Sequence, residues 1–277
     1  MQFSQAIIFL AKEQNRPLAE QVKNYLRTHN CKAQIITSLQ DFAAWDPVNL
    51  LISLGGDGTL LKCVRYAAPR QIPVFGINCG TLGFLAACEK KDALCALAQL
   101  LEGHCAIHTR QMLEARIFQP GQEVQTLTAF NDCILRAAAP RTLLLQAVWN
   151  NTPIPSYYGD GVIVATPTGS TAYSLAAGGP IVEPSVSVLV VTPICPHSLH
   201  QRPLVLPASG TLKLTPILEY PEDRALLSLD GQTNLSLSAG AQLEIQISDI
   251  PALLIRLPER DFFTVLSRKL NWGQHVN

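Results

Sequence analysis

The feature that most constrains this chain is the run Asn49-Leu50-Leu51-Ile52-Ser53-Leu54-Gly55-Gly56-Asp57-Gly58-Thr59-Leu60-Leu61-Lys62. An apolar segment of strand length stops at Gly-Gly-Asp-Gly-Thr, and apolar residues resume at helical spacing through Leu60, Leu61, Val64 and Ala67. The pattern predicts strand, tight turn, helix. Three glycines around one carboxylate let the backbone take positive φ and come close to a ligand, and the following helix would direct its first N–H groups at that ligand. Phosphate suits such a turn. Asp57 is then the odd residue, because a carboxylate beside phosphates repels them unless it handles a proton, a hydroxyl or a metal. The functional reading is that Asp57 meets a hydroxyl group about to be phosphorylated. The plain alternative is a helix-capping Asp in an ordinary glycine turn.

The surrounding pattern alternates strands and helices. Ala6 to Leu10 reads as a first buried strand, and Pro17 with Leu18, Val22, Tyr25 and Leu26 as a helix with proline near its start. Ala33 to Thr37 and Val74 to Asn78 are further strands, and the latter runs into a second glycine-bearing turn, Cys79-Gly80-Thr81-Leu82-Gly83-Phe84-Leu85. Lys91 to Leu101 is a helix with Gly103 as its C-cap. Such alternation predicts an α/β domain with a Rossmann-like parallel sheet over residues 1–103, which binds ligands beyond the carboxyl ends of its strands. From Ile107 to Ile255 the texture changes to short β-rich runs punctuated by prolines, Asn-Asn and Asp-Gly, which predicts an all-β domain over residues 104–256. The tail, residues 257–277, returns to helical spacing through Phe262 to Trp272 and is expected to pack on the first domain. A chain of 277 residues accommodates two such cores.

Composition narrows the function classes. Lys plus Arg and Asp plus Glu number 21 each, so no global field favours nucleic acid or an anionic membrane, and any phosphate site must be local. No apolar run reaches the length of a membrane span, and Met1 to Gln5 has no basic residues before the apolar Ala6 to Leu10, so a cytoplasmic protein is expected. The cysteines at 31, 63, 79, 88, 95, 105, 133 and 195 never fall as C-x-x-C and have no paired histidine spacing, so neither zinc nor another protein-held metal is expected.

One stretch of the β region is not ordinary sandwich: Tyr158-Gly159-Asp160-Gly161 and the strand-like Val162 to Ala165 lead into Thr166-Pro167-Thr168-Gly169-Ser170-Thr171-Ala172-Tyr173-Ser174. Its hydroxyls and amides offer many hydrogen-bonding groups with little bulk, as an adenine, ribose or nicotinamide contact needs, and Tyr173 supplies a stacking face. The plain alternative is a Ser/Thr-rich turn capping a helix.

Taken in order, Gly55-Gly56-Asp57-Gly58-Thr59, Gly76-Ile77-Asn78 through Leu85, Asn131-Asp132, the Thr166–Ser174 block, Thr192-Pro193-Ile194-Cys195-Pro196-His197-Ser198-Leu199 with Arg202-Pro203, and Asp230-Gly231-Gln232 resemble the NAD kinase family over nearly the whole chain. The ending Lys269-Leu270-Asn271-Trp272 points to the bacterial branch. The resemblance implies transfer of phosphate from ATP to the adenosine 2′-hydroxyl of NAD, giving NADP, with Asp57 as base. It implies that Asn131 and Asp132 hold adenine and ribose hydroxyls, although Glu is the commoner residue at the position of Asp132. Asp160 would accept from an amide or amino group of the dinucleotide, Thr171, Ala172, Tyr173, Ser174, Leu175 and Ala176 would form the wall against it, and Gln232 would add a contact. Gly58 is counted on both the dinucleotide and the phosphate side, and Gly55, Gly56, Gly58 and Thr59 would lie under the donor's terminal phosphate, with Asn78 and Gly80 as weaker candidates.

Two positions depart from the family pattern. Tyr158 stands where bacterial relatives often carry a basic residue, and it cannot pair with a pyrophosphate as arginine does. Arg141 and Thr142, in the segment after Asn131-Asp132, are each a candidate dinucleotide contact. His197, Lys62 and Arg202 are open between a ligand contact and a structural or solvated role. Mg²⁺ is expected to arrive on the ATP phosphates, since that ion keeps several waters and needs few protein ligands. The resemblance further implies a homodimer or homotetramer. The competing readings are a GGDGT-type lipid or sphingoid kinase, which needs an apolar acceptor slot, and a catalytically silent dinucleotide-binding regulator.

Overall fold

The computed structural model describes residues 3–45 and 47–273; Met1 and Gln2 of the leader reading, and residues 274–277 of the expected C-terminal segment, lie outside them. The chain forms two compact units, one drawn from the stretch up to Arg110 and from Ile250 onward, the other from Gln111–Asp249.

The first unit is built on a sheet of order Lys32–Ile36, Gln5–Leu10, Leu50–Gly55, Val74–Asn78, Ala252–Arg256, Ala106–Arg110, with the short strand Cys88–Glu89 also pairing with Val74–Asn78. Its first four strands run parallel in that order. Leu50, Leu51, Ile52 and Leu54 are all buried, as a strand covered on both faces requires, and burying each such side chain is worth roughly 1.5–3 kcal/mol. The helix Arg16–Thr28 buries Leu18, Ala19, Val22 and Leu26 at i, i+1, i+4 and i+8, with Pro17 in its first turn. The helix Asp57–Ala67 buries Leu60, Leu61, Cys63, Val64 and Ala67. It lies so near Val74–Asn78 that a Cβ on Gly76 would stand 2.3 Å from Leu60 Cδ1. Gly103, at φ 83°, follows the helix Ala93–Leu101 in the left-handed conformation that ends helices.

Within this unit the helix Phe262–Leu270 starts at Asp261, whose carboxylate accepts from Thr264 N–H at 3.0 Å, and ends at Asn271 in the left-handed region. It buries Val265 and Leu266, and its Lys269 ammonium donates to the carbonyl of Leu82 and lies 5.3 Å from the centre of the Phe84 ring.

The second unit is two six-stranded antiparallel sheets. One has the order Thr152–Gly159, Leu143–Trp149, Leu212–Ile217, Gln242–Ile247, Leu113–Phe118, Gln125–Ala129. The other has the order Leu204–Pro207, Val188–Ile194, Gly161–Ala165, Asp132–Ala137, Ala225–Leu229, Thr233–Leu237. Leu145, Leu214 and Leu243 of the first sheet and Leu135, Val162, Val164 and Val191 of the second share one core. The opposite face of the second sheet carries a smaller apolar cluster of Ile134, Ile163, Ala165, Val190 and Ile194, against which Ala177 and Val182 pack. Gly161–Ala165 is therefore buried on both faces and reads as a continuous apolar run.

A parallel α/β unit with an antiparallel β unit is the expected fold class. The division in sequence differs from the reading by texture: Ala106–Arg110 and Ala252–Arg256 both fell in the expected β stretch, yet they pair antiparallel with each other in the first sheet. Local pattern marks a strand but not the sheet it joins, because pairing is non-local. Texture also leaves individual strands of the second unit weakly marked, among them Thr152–Gly159, Leu204–Pro207 and Thr233–Leu237. The first two carry prolines, and Thr233–Leu237 is polar on alternate positions.

Candidate active site

Gly55 pairs with Asn78 at the carboxyl ends of two adjacent parallel strands, so both glycine turns leave the sheet side by side. The first turn does not use positive φ as expected: among the described residues the glycines in that region are Gly103, Gly121, Gly178, Gly231, Gly240 and Gly273. Space is the requirement instead. A Cβ on Gly55 would stand 2.3 Å from Thr59 Oγ1, whereas Gly56 and Gly58 face open space. The turn thus presents bare backbone where the helix Asp57–Ala67 begins, and Lys12, Asn15, Gly55, Gly56, Thr59 and Lys269 help line a cavity of about 300 Å³ that includes Asp57. Backbone at a helix start with ammonium groups beside it favours an anion.

Asp57 does not cap its helix. The N-cap is Gly56, and the Asp57 carboxylate reaches to the second turn, where Oδ2 accepts from Phe84 N–H at 2.9 Å and Oδ1 from Leu85 N–H at 3.2 Å. Gly83 makes this possible, because a Cβ there would stand 2.2 Å from Oδ1. The helix-capping alternative is thereby set aside. The second turn has no strand ladder to satisfy its backbone, and side chains do so. Asn78 Nδ2 donates to Thr81 O at 2.9 Å and to Glu89 Oε2 at 2.8 Å, while its Oδ1 accepts from Gly80 N–H at 3.2 Å. Asn78, a weaker candidate for the donor phosphate, is therefore committed to bracing the turn. Glu89 in turn pairs with Arg260 at 2.5 Å.

Arg256 was missed by the sequence reading; its only signal is a lone cation ending the apolar run Ala252-Leu253-Leu254-Ile255. It is 8% exposed, with Nη2 donating to Phe84 O at 2.7 Å and Nη1 to Ala86 O at 3.1 Å. Burial pushes its guanidinium down to about 10, Arg110 and Arg260 push the same way and the Asp57 carboxylate opposes them, so it remains charged at neutral pH.

In the second unit, Asn131 and Asp132 sit where Phe130 leads into the strand Asp132–Ala137. The organising group is Asp230, held at φ 53° beside Gly231. Its carboxylate accepts from the N–H groups of Phe130 at 2.9 Å, Asn131 at 2.7 Å and Asp132 at 3.3 Å. The Thr166–Ser174 block locks onto the same corner: Thr166 Oγ1 donates to Phe130 O at 2.7 Å, and a Cβ on Gly169 would stand 2.0 Å from Asn131 O. Asn131 Oδ1 is buried with no hydrogen-bond partner within the described residues. Burial, and then the Asp230 carboxylate, pushes Asp132 up to about 7.

The expected wall is mixed. Thr171, Ala172 and Leu175 are half-buried and Ala176 is exposed, with Tyr173 presenting an exposed ring. Ser174 is buried instead, its hydroxyl 2.9 Å from Thr192 Oγ1, so it holds the short helix Tyr173–Ala176 against the strand Val188–Ile194. Asp160 is exposed at the end of Thr152–Gly159, and Gln232 is half-buried just past Gly231.

Tyr158 accepts from Thr142 Oγ1 at 3.0 Å and meets the His197 ring edge-on at 5.4 Å, and both Tyr158 and Thr142 line a cavity of about 600 Å³ with Arg141. Arg141 lies 3.5 Å from Asp223, a pairing of little energetic weight at an exposed side chain. His197 N–H donates to Tyr158 O at 2.9 Å, which gives this residue a structural part, and Arg202 donates to Leu199 and Gln201 carbonyls of its own loop. Lys62 is solvated. Among the described residues no group of three His, Cys, Asp or Glu could hold a metal ion, and no helix is long and apolar enough to cross a membrane.

Comparison with known proteins bears on both units. Residues 8–105 match the ATP-NAD kinase N-terminal domain and residues 131–257 the ATP-NAD kinase C-terminal domain. The NAD kinase of Heliobacterium modesticaldum is 42% identical over 228 residues, 82% of this chain and 80% of that protein. The NAD kinase of Trichlorobacter lovleyi is 35% identical over 272 residues, 98% of this chain and 93% of that one. A crystal structure of yeast NADH kinase complexed with NADH matches at a TM-score of 0.88 and 26% identity, covering 100% of this chain and 90% of that chain. The fold also matches an NAD kinase from Archaeoglobus fulgidus in complex with ATP, at a TM-score of 0.80 and 21% identity, covering 97% and 100%. Motif order, two matched domains and whole-length relatives agree: this chain belongs to the ATP-NAD kinase family.

Proposed function

We propose that this protein transfers the terminal phosphoryl group of ATP to the adenosine 2′-hydroxyl of NAD, giving NADP, with Asp57 as the base. The observation that carries the reading is the Asp57 carboxylate, turned away from its own helix and held by the amides of Phe84 and Leu85 beside the glycine turn that opens that helix. A secondary hydroxyl is a poor nucleophile. Phosphoryl transfer gains chiefly from in-line placement and charge neutralisation, and base assistance adds roughly 10²–10⁴-fold.

Gly55, Gly56, Gly58 and Thr59 cradle the donor phosphates, with the ammonium groups of Lys12 and Lys269 in the same cavity. Asn131 and Asp132, at the turn anchored by Asp230, hold adenine and the ribose hydroxyls. Asp160, Thr171 to Ala176, Gln232, Tyr158, Arg141 and Thr142 complete the dinucleotide surface. A divalent ion arrives on the ATP phosphates, whose charge it neutralises; Mg²⁺ keeps several waters and needs few protein ligands. The enzyme works in the cytoplasm as a homodimer or homotetramer, a state that sedimentation measures directly.

The test is NADP production by the purified chain with NAD, ATP and Mg²⁺, repeated with NADH, with polyphosphate in place of ATP, and with diacylglycerol as acceptor. NADP formation that requires ATP supports the reading. Phosphorylation of the lipid alone, or no turnover with either dinucleotide, overturns it.

A further inference from the structure

We propose that Arg256 is a positioning residue for the Asp57 carboxylate, acting through the single peptide group that joins Phe84 to Leu85; this rests on Asp57 being the base. The carbonyl oxygen of that peptide takes a 2.7 Å hydrogen bond from Arg256 Nη2, and its N–H gives one of 3.2 Å to Asp57 Oδ1. A trans peptide carries its C=O and N–H on opposite edges of one plane, so a cation on the oxygen and an anion on the hydrogen polarise the same group in the same sense. Each bond is charge-assisted, and each strengthens the other. The guanidinium and the carboxylate are thus coupled without touching.

The second arm of the fork fixes where that peptide lies. Arg256 Nη1 donates to Ala86 O at 3.1 Å, two residues on, so one planar group spans two carbonyls of a segment that has no ladder bonds between Gly80 and Leu85. Lysine, a point donor, reaches one carbonyl at a time. Phe84 N–H binds the other oxygen of Asp57 at 2.9 Å, and Gly83 leaves room for the carboxylate. Both carboxylate oxygens are therefore set by one short loop, and the loop is set by a cation that is 8% exposed. Burying a guanidinium is expensive unless its donors are used, and here one from each Nη is used on the loop that orients Asp57.

The experiment is a cycle of Arg256→Lys, Arg256→Met and Asp57→Asn in the full chain, read by steady-state kinetics and by the amide resonance of Leu85. Arg256→Met lowers kcat by about 10²-fold, as a misplacement near 1 Å does, while KM for NAD and for ATP stays within about threefold. Arg256→Lys falls between it and the wild type. In the Asp57→Asn background neither substitution lowers the residual kcat by more than about twofold, because residues acting as a unit are not additive. The Leu85 amide proton moves upfield in Arg256→Lys and in Asp57→Asn alike. Equal losses in both backgrounds would overturn the proposal, since Arg256 would then act elsewhere. If Arg256→Met fails to fold, Arg256→Lys and the Leu85 resonance decide, and an unmoved resonance with unchanged kcat overturns it. Near-normal kcat in Asp57→Asn would remove the base assignment itself and with it the proposed role of Arg256; a Leu85 shift in that variant identifies the coupled pair as structural and locates the failure in the base reading.

Discussion

Gly83 and Asp57 exclude any side chain between them: a Cβ on Gly83 would stand 2.2 Å from Oδ1 and 2.8 Å from Cγ of Asp57. Gly83→Ala therefore displaces the carboxylate or the loop that holds it. Turnover should fall by about 10²-fold, the scale of a small misplacement at a reacting centre. Glu123→Ala, at an exposed loop position of the second unit, is the control. Steady-state kinetics of the two variants, with circular dichroism to verify folding, makes the comparison.

Asp57→Asn keeps a planar group of the same size but offers only one acceptor to two amide donors. The variant should fold, bind NAD and lose roughly 10²–10⁴-fold in kcat, the range of general-base assistance. Single-turnover phosphoryl transfer beside a titration of NAD binding separates the two effects. Tight binding with near-normal turnover would take the base role from Asp57.

Asp230 satisfies the N–H groups of Phe130, Asn131 and Asp132 with one carboxylate. Asp230→Ala leaves donors unpaired, at about 1–3 kcal/mol for each group that water cannot reach. We expect a lower Tm and a raised KM for NAD with kcat less affected, since the turn that presents Asn131 and Asp132 loses its anchor. Thermal melting and NAD saturation curves check this, and an unchanged KM would detach Asp230 from dinucleotide binding.

Asp132 gives a pH signature. Burial raises its pKa from 3.8 to about 7 in the fold, with the Asp230 carboxylate adding to the shift. The folded state therefore holds this proton more tightly than the unfolded chain. The stability linked to it is complete below about pH 4 and is lost as pH rises through about 7. Asp132→Asn does not titrate, so the Tm of the variant relative to wild type should climb between pH 5 and pH 8. A difference that stays flat with pH would show that Asp132 is ionised throughout.

Much of the first unit was legible because its signals are local. The run Leu50 to Leu54 is apolar at every position and stops at glycines, which marks an inner strand and its turn without knowledge of any partner. The helix that follows was readable from Leu60, Leu61, Val64 and Ala67. The purpose of the glycines was not: positive φ was the expectation, and close approach by Thr59 to Gly55 and by Asp57 to Gly83 is what the fold uses. The block from Thr166 to Ser174 was visible as unusual, but which of its hydroxyls face outward was not. Ser174 turns inward to Thr192, a residue 18 positions away in the chain.

From the sequence alone came the four parallel strands of the first unit, the two glycine turns, the position of Asp57 and the order of motifs, because each is written in spacing and residue type over a dozen residues or fewer. Only tertiary structure brought Arg256 to the carbonyl of Phe84, Asp230 to the amides of Phe130, Asn131 and Asp132, and Ala252–Arg256 into the first sheet. Those partners are separated by about a hundred residues or more, and nothing in the local pattern of either member encodes the other.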